Sequence, residues 1–232
     1  MWNDDKVIAI CDNAVLRLDG SGRVDAEICK EGFKCSTNAI SASREAICIA
    51  TNDKAKLAFV YETDSYKVSV PELDPTLEGY TFGKIGLLVK SSQVFFNSIT
   101  DAKVDFSNSS LLLSSQNGDL ALFNLVELFS EDTKGTLYLG HSTTVISVAN
   151  LMHGPHAGHI SFVSISQDRN IRFWHQKKRT ATESFFLEYS PLSLVVSRDA
   201  TRLFIPCEMG HILVVPLSDF KGNFLLSGHM WV

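Results

Sequence analysis

The chain has 232 residues, 45% of them hydrophobic, and its 21 Lys and Arg against 26 Asp and Glu leave a formal net charge of −5. That is too apolar and too weakly charged for a disordered chain, and long enough for one substantial core or two small ones. The mild acidity supplies no whole-protein field to draw in nucleic acid, no apolar run reaches the roughly 18–20 residues of a spanning helix, and the acidic start MWNDDKVIAICDN is the reverse of a secretory signal.

From the N-terminus onward, short apolar stretches alternate with turn formers. Residues 7–11 and 15–18 flank Asp12-Asn13, and residues 46–50 and 57–61 flank Asn52-Asp53-Lys54. Residues 111–115 and 120–123 flank Gln116-Asn117-Gly118-Asp119. Residues 160–164 and 171–174 flank Gln167-Asp168-Arg169-Asn170, and residues 203–206 and 212–215 flank Glu208-Met209-Gly210-His211. Each is a pair of short runs around turn residues, the pattern of a β-hairpin. Helical periodicity is nearly absent, and the best candidate is LFNLVELFSE (122–131), a turn or two of helix after a strand. Cys11, Cys29, Cys35, Cys48 and Cys207 are odd in number and contain no C-x-x-C pair, so reduced, mostly buried thiols are expected rather than a disulfide framework or a thiolate zinc site. The sequon Asn108-Ser109-Ser110 would matter only in a secreted chain, and an intracellular compartment is expected.

The hairpins superpose on one another. With Gln116 set against Gln167, Asn117 meets Asp168, Leu120 meets Ile171 and Phe123 meets Trp174. A further shift sets Gly210 on Arg169, Ile212 on Ile171 and Val215 on Trp174. The closing positions 123, 174 and 215 are 51 and 41 residues apart, and a period near 40 with hairpin content predicts four-stranded propeller blades rather than a helical solenoid.

Residues 140–174, GHSTTVISVANLMHGPHAGHISFVSISQDRNIRFW, resemble a WD40 repeat. Gly140-His141, Ser164, Asp168 and Trp174 match that family's Gly-His pair, strand serine, turn aspartate and closing tryptophan. The resemblance implies a structural tetrad of His141, Ser164, Asp168 and Trp174, in which aspartate orients histidine, histidine reaches serine and serine satisfies the indole N–H. The loop MHGPHAG (152–158) is longer than the family's usual one. The repeat ending at Phe123 has Asn117 for Asp and Phe for Trp, and the one ending at Val215 has lost all four residues.

Three features in order are similar to the WD-repeat subunits of the nuclear complex that matures the large ribosomal subunit. They are the Val126-Glu127-Leu128-Phe129 extension, the tetrad repeat with its stretched loop, and Gly210-His211-Ile212 in place of a Trp-Asp ending. The run AKLAFVYETDSYKVSVPE (55–72) also resembles an early blade of that family. The similarity covers residues 40–217 and is most specific over 103–217. It implies an all-β WD40 β-propeller domain over 1–232, incomplete, with about five to six blades, some degenerate. The best repeats fall at 103–126, 140–176 and 190–217, with an irregular or shortened blade near 62–89. It further implies a non-catalytic scaffold with no cofactor, located in the nucleolus or nucleoplasm and acting in processing of the second internal transcribed spacer. The implied partners are a helical-repeat scaffold and the pre-ribosomal particle, with no membrane. A generic WD-repeat adaptor in ubiquitin ligation, chromatin or trafficking is the alternative.

Closing positions Leu18, Tyr61, Val89, Phe123, Trp174 and Val215 leave gaps of 43, 28, 34, 51 and 41 residues. The two short gaps predict missing strands around residues 71–83. A seven-bladed ring at this period needs about 280 residues, so a truncated or alternatively spliced form with exposed strand edges is expected.

Other constellations point less sharply. His153, His156 and His159 could ligate zinc, but Gly154, Pro155 and Gly158 deny them one helix face, and a polar surface loop is expected. Lys177, Lys178 and Arg179 are candidates for contact with RNA phosphates or an acidic partner, or else a solvated edge. Asp19-Gly20-Ser21-Gly22 reads as a turn, not a phosphate loop. No G-x-S-x-G or H-E-x-x-H spacing exists, and Ser164, His141 and Asp168 read as structure rather than as a hydrolytic triad. In Phe95-Phe96 and Phe185-Phe186, adjacent residues face opposite sides of a strand, so one of each pair is expected in the core.

Overall fold

The computed structural model describes residues 7–11, 14–29, 37–42, 46–51, 56–62, 77–82, 85–91, 99–105, 108–124, 135–218 and 224–227. Among them the chain is all-β: twenty strands and one 3-10 turn, Glu208–Gly210, with no α-helix. None of the described helices is long and apolar enough to cross a membrane.

Sequence-adjacent strands form five sheets among the described residues. β1 (Val7–Cys11), β2 (Ala14–Leu18) and β3 (Val24–Cys29) make a three-stranded sheet in that order. β4 (Thr37–Ala42), β5 (Ala46–Thr51), β6 (Lys56–Glu62), β7 (Leu77–Phe82) and β8 (Ile85–Ser91) make a second, in the order β4-β5-β6-β8-β7. β9 (Ile99–Asp105), β10 (Ser110–Ser115), β11 (Leu120–Asn124) and β12 (Thr136–Tyr138) lie in the order β12-β11-β10-β9. β13 (Val145–Asn150), β14 (Phe162–Ser166), β15 (Asn170–Trp174) and β16 (Glu183–Phe186) follow in sequence order. So do β17 (Val195–Val196), β18 (Arg202–Pro206), β19 (His211–Pro216) and β20 (Phe224–Ser227). Pairing is antiparallel in the β13–β16 and β17–β20 sheets.

All five sequence-read hairpins are neighbouring strands: β1–β2, β5–β6, β10–β11, β14–β15 and β18–β19. One boundary moves. The apolar run at 160–164 begins inside a turn, because the Ile160 N–H donates to the His156 carbonyl, and the strand starts at Phe162. Ile160 is buried there all the same. Val89 does not close a module of its own. β8 pairs with β6, Ala58 opposite Val89, so the β7–β8 hairpin extends the sheet of β4–β6. Part of the stretch in which strands were expected to be missing is β7. The proposed helix at 122–131 begins as the end of β11, and its residues 125–131 lie outside the described residues. The extension at 126–129, the Phe95-Phe96 pair and the turns at 12–13 and 52–54 also lie outside them.

The chain divides into two compact units, one of residues 1–111 and 123–135, the other of Leu112–Leu122 and Thr136–Val232. In the first, the buried Arg17 on β2 bonds Asp25 on β3 at 2.8 Å. The turn before β3 is held by Asp19, whose Oδ1 accepts from the Ser21 N–H and hydroxyl and from the Arg23 N–H, an Asx turn rather than a phosphate cradle.

Among the described residues the second unit holds two cores. Val163, Ile165, Ile171 and Phe173 pack with Leu203, Ile205 and Val215 in one. Leu112, Leu120, Tyr138, Val145, Val148, Phe162 and Trp174 form the other. On β15, Ile171 and Phe173 point into the first core while Trp174 ends in the second, a split that the period of two makes unavoidable. Each such side chain contributes roughly 1.5–3 kcal/mol on burial.

The hairpin turns repeat in atomic detail. The aligned positions Gly118, Arg169 and Gly210 all have positive φ, at 89°, 58° and 74°. Ser115 N–H donates to the Asp119 carbonyl at 3.0 Å, and at the aligned place Cys207 N–H donates to the His211 carbonyl at 2.8 Å. Arg169 N–H reaches the Ser166 carbonyl at 3.0 Å, as Gly118 N–H reaches that of Ser115 at 3.4 Å. The left-handed position is thus shared by three different sequences, and the third turn adds a second left-handed residue at Met209.

Candidate functional site

His141, Ser164, Asp168 and Trp174 are 33 residues apart end to end in the sequence and meet in the second unit. Trp174 ends β15 and Phe162 stands opposite it on β14, which sets the indole two residues from Ser164. The Trp174 indole N–H donates to Ser164 Oγ at 2.8 Å. Ser164 Oγ lies 2.7 Å from His141 Nε2, and His141 Nδ1 lies 3.1 and 3.2 Å from the two Asp168 oxygens. Asp168 also accepts from the backbone N–H of Ser142 at 3.0 Å and of Asn170 at 2.9 Å.

The directions follow from the inventory of donors. An ionised Asp168 can only accept, so His141 Nδ1 carries the proton and Nε2 accepts from the Ser164 hydroxyl. Ser164 in turn accepts from the indole. Every polar atom of the chain is thereby satisfied in a place where an orphan would cost about 1–3 kcal/mol.

Electrostatics agree with this assignment. Burial of the imidazole pushes His141 below its usual pKa and outweighs the attraction of Asp168. Burial alone would raise Asp168, but the N–H groups of Ser142 and Asn170, with His141 beside it, hold it below the usual carboxylate range. A neutral imidazole and an ionised carboxylate are the states the hydrogen bonds need.

Around the polar chain sits an aromatic shell that the sequence reading did not single out. Phe162 stacks on Trp174 with centroids 6.0 Å apart, and Tyr138 meets both rings edge-on at 4.9 and 5.9 Å. Tyr138 donates its hydroxyl to the Gln176 carbonyl at 2.7 Å, and burial lifts its pKa to about 12. The alternating apolar pattern of TLY before Gly140 was the available signal. A Cβ at Gly140 would be crowded, standing 3.0 Å from the indole and 3.3 Å from the Arg172 guanidinium. Gly118 combines its positive φ with a close approach, since a Cβ would lie 2.5 Å from the His141 carbonyl oxygen.

Ser, His and Asp in this order share the membership of a hydrolytic triad. Here Ser164 is fully buried, its hydroxyl donating to His141 Nε2 and its oxygen accepting from the indole N–H, so a substrate carbonyl has no approach to Oγ.

Lys177, Lys178 and Arg179 are exposed in the loop between β15 and β16, apart from the tetrad. The stretched loop at 152–158 folds on itself, with Gly154 N–H on the Leu151 carbonyl and Ala157 N–H on the Gly154 carbonyl. His153 and His159 are exposed on it and His156 is half-buried. No group of three or more His, Cys, Asp or Glu side chains among the described residues could hold a metal ion. His156, His159 and Lys178 do come together, lining a cleft of about 400 Å³ with Ile160, Thr182, Glu183, Leu217 and Ser218. Phe185 packs against the core and Phe186 is exposed, as the strand alternation predicts for that pair. Cys207 is buried and Cys11 exposed, and both are free thiols. In comparison with known proteins, the chain matches no family model and no curated protein.

Proposed function

We propose that the chain is a WD-repeat scaffold, an incomplete β-propeller that holds other proteins together in the nuclear complex processing pre-rRNA at the second internal transcribed spacer. In this reading it is not an enzyme and needs no cofactor. Its partners are a helical-repeat scaffold protein and the pre-ribosomal particle, and its place is the nucleolus or nucleoplasm. The observation that carries the fold assignment is the unbroken hydrogen-bond chain from Trp174 through Ser164 and His141 to Asp168, set on one of three consecutive four-stranded sheets whose hairpin turns share a left-handed position. The polar chain is spent on holding strands and turn together, which supports a binding module rather than a catalytic one.

Affinity purification of the tagged chain with mass spectrometry, together with analysis of pre-rRNA after depletion, tests the proposal. Large-subunit precursors and a helical-repeat partner should co-purify, and spacer-containing precursors should accumulate. A different stable partner with normal pre-rRNA would assign the chain instead to adaptor work in another complex.

A further inference from the structure

A second site lies away from the tetrad, where two loops of different origin meet. The loop preceding β14 contributes His156, His159 and Ile160, and the loop and strand after β15 contribute Lys178, Thr182 and Glu183. Leu217 and Ser218, just beyond β19, complete the lining. The cleft of about 400 Å³ is large enough for a phosphate with its sugar and far smaller than a folded partner.

Its walls are held in place by their own backbones. The N–H groups of His159 and Ile160 both donate to the His156 carbonyl at 2.9 Å, so this segment makes one helical turn. Residues three apart on such a turn fall on one side, which brings both imidazoles to the same wall. Opposite them, Lys178 N–H donates to the His175 carbonyl at 2.8 Å and Lys177 N–H to His175 Nδ1 at 3.1 Å. Thr182 is tied through both its N–H and its hydroxyl to the Phe173 carbonyl, at 2.8 and 3.0 Å. One ammonium and two imidazoles thus line the cleft, and Lys177 and Arg179 extend the positive run along the loop outside. Glu183 is the single carboxylate in the lining.

We propose that this cleft takes up a phosphate group of a single-stranded RNA backbone. Lys178 supplies the charge and His156 and His159 the ring N–H donors, while Ile160 and Leu217 give the sugar an apolar wall. Lys177 and Arg179 carry the strand onward, since a polyanion needs repeated positive charge where a lone phosphate does not. Glu183 repels the ligand and sets its affinity low. The anion site stands on the cleft alone; the choice of RNA as its source rests on the proposed function.

Fluorescence anisotropy with a labelled single-stranded RNA oligonucleotide tests this on the full chain, at several salt concentrations and with inorganic phosphate as competitor. Lys178→Ala should weaken binding about tenfold and reduce the salt slope by about one. His156→Ala with His159→Ala should weaken it further, and Glu183→Gln should tighten it severalfold. Lys178 and Glu183 are exposed, so both variants should keep the wild-type melting temperature. RNA affinity that none of these variants changes overturns the proposal, and so does a cleft that binds inorganic phosphate while the chain binds no RNA. Co-purification with pre-ribosomal particles is read separately: a chain that enters the particle but shows a cleft indifferent to these substitutions loses this inference and keeps the proposed function.

Discussion

The turn between β14 and β15 and the turn between β18 and β19 share a left-handed residue at the aligned positions 169 and 210 and little else. At the first, Asp168 gathers two backbone N–H groups and His141, and the strand ends in a buried tryptophan bonded to Ser164. At the second, the aligned closing residue is Val215, and the left-handed turn conformation falls on Met209 and Gly210 instead. Register and apolar burial are enough to form a hairpin of this shape. The polar chain adds something different, which is a connection from the turn to the strand and to the segment entering the sheet at His141. The tetrad pins one sheet through a buried polar chain, while among the described residues the aligned closing position of its neighbour, Val215, is held by packing.

That contrast can be broken at its largest point by truncating the closing residues. Trp174→Ala should cost about 3–5 kcal/mol, and Val215→Ala about 2 kcal/mol, read by chemical denaturation. Equal losses would mean that the indole is not the anchor its geometry makes it. Ser164→Ala removes little volume but orphans the indole N–H and His141 Nε2 together. It should cost about 1–3 kcal/mol, and a neutral result would show that these groups find other partners.

Acid should separate the two turns next. Because His141 sits below its usual value of 6.5 in the folded chain, the unfolded chain takes up that proton first. Its stabilising contribution is complete above that pH and declines as the pH falls below it. Asp168, also lowered, keeps its contribution until the pH falls below the ordinary carboxylate value of 3.8 and on through its own pKa. Melting temperature should therefore drop between pH 7.5 and 5 in the wild type, and less steeply in His141→Gln.

The smallest effects concern backbone conformation. Met209 has φ 61° and is 84% exposed, so Met209→Gly should stabilise by up to about 1 kcal/mol. Arg169→Gly should gain less, because its guanidinium lies 4.7 Å above the Phe186 ring, a contact worth about 0.5–1 kcal/mol. Thermal melts of the two glycine variants side by side measure the strain that each of these left-handed residues carries.

What the amino-acid order alone determined was local. Five hairpins, the all-β class and the alignment of Gln116 with Gln167 depend on a period of two and on turn residues between short apolar runs, and neighbouring residues suffice to specify them. The four residues from His141 to Trp174 could be picked out only through their resemblance to a WD40 repeat, and the structure joins them in one hydrogen-bonded chain. Tertiary structure decided the rest. Only pairing could place β8 against β6, since an antiparallel neighbour can come from either side of a sheet. Only packing could bring Tyr138 onto Trp174, and only loop closure could bring His156, His159 and Lys178 to line one cleft, because these segments' separation in sequence says nothing of their distance in space.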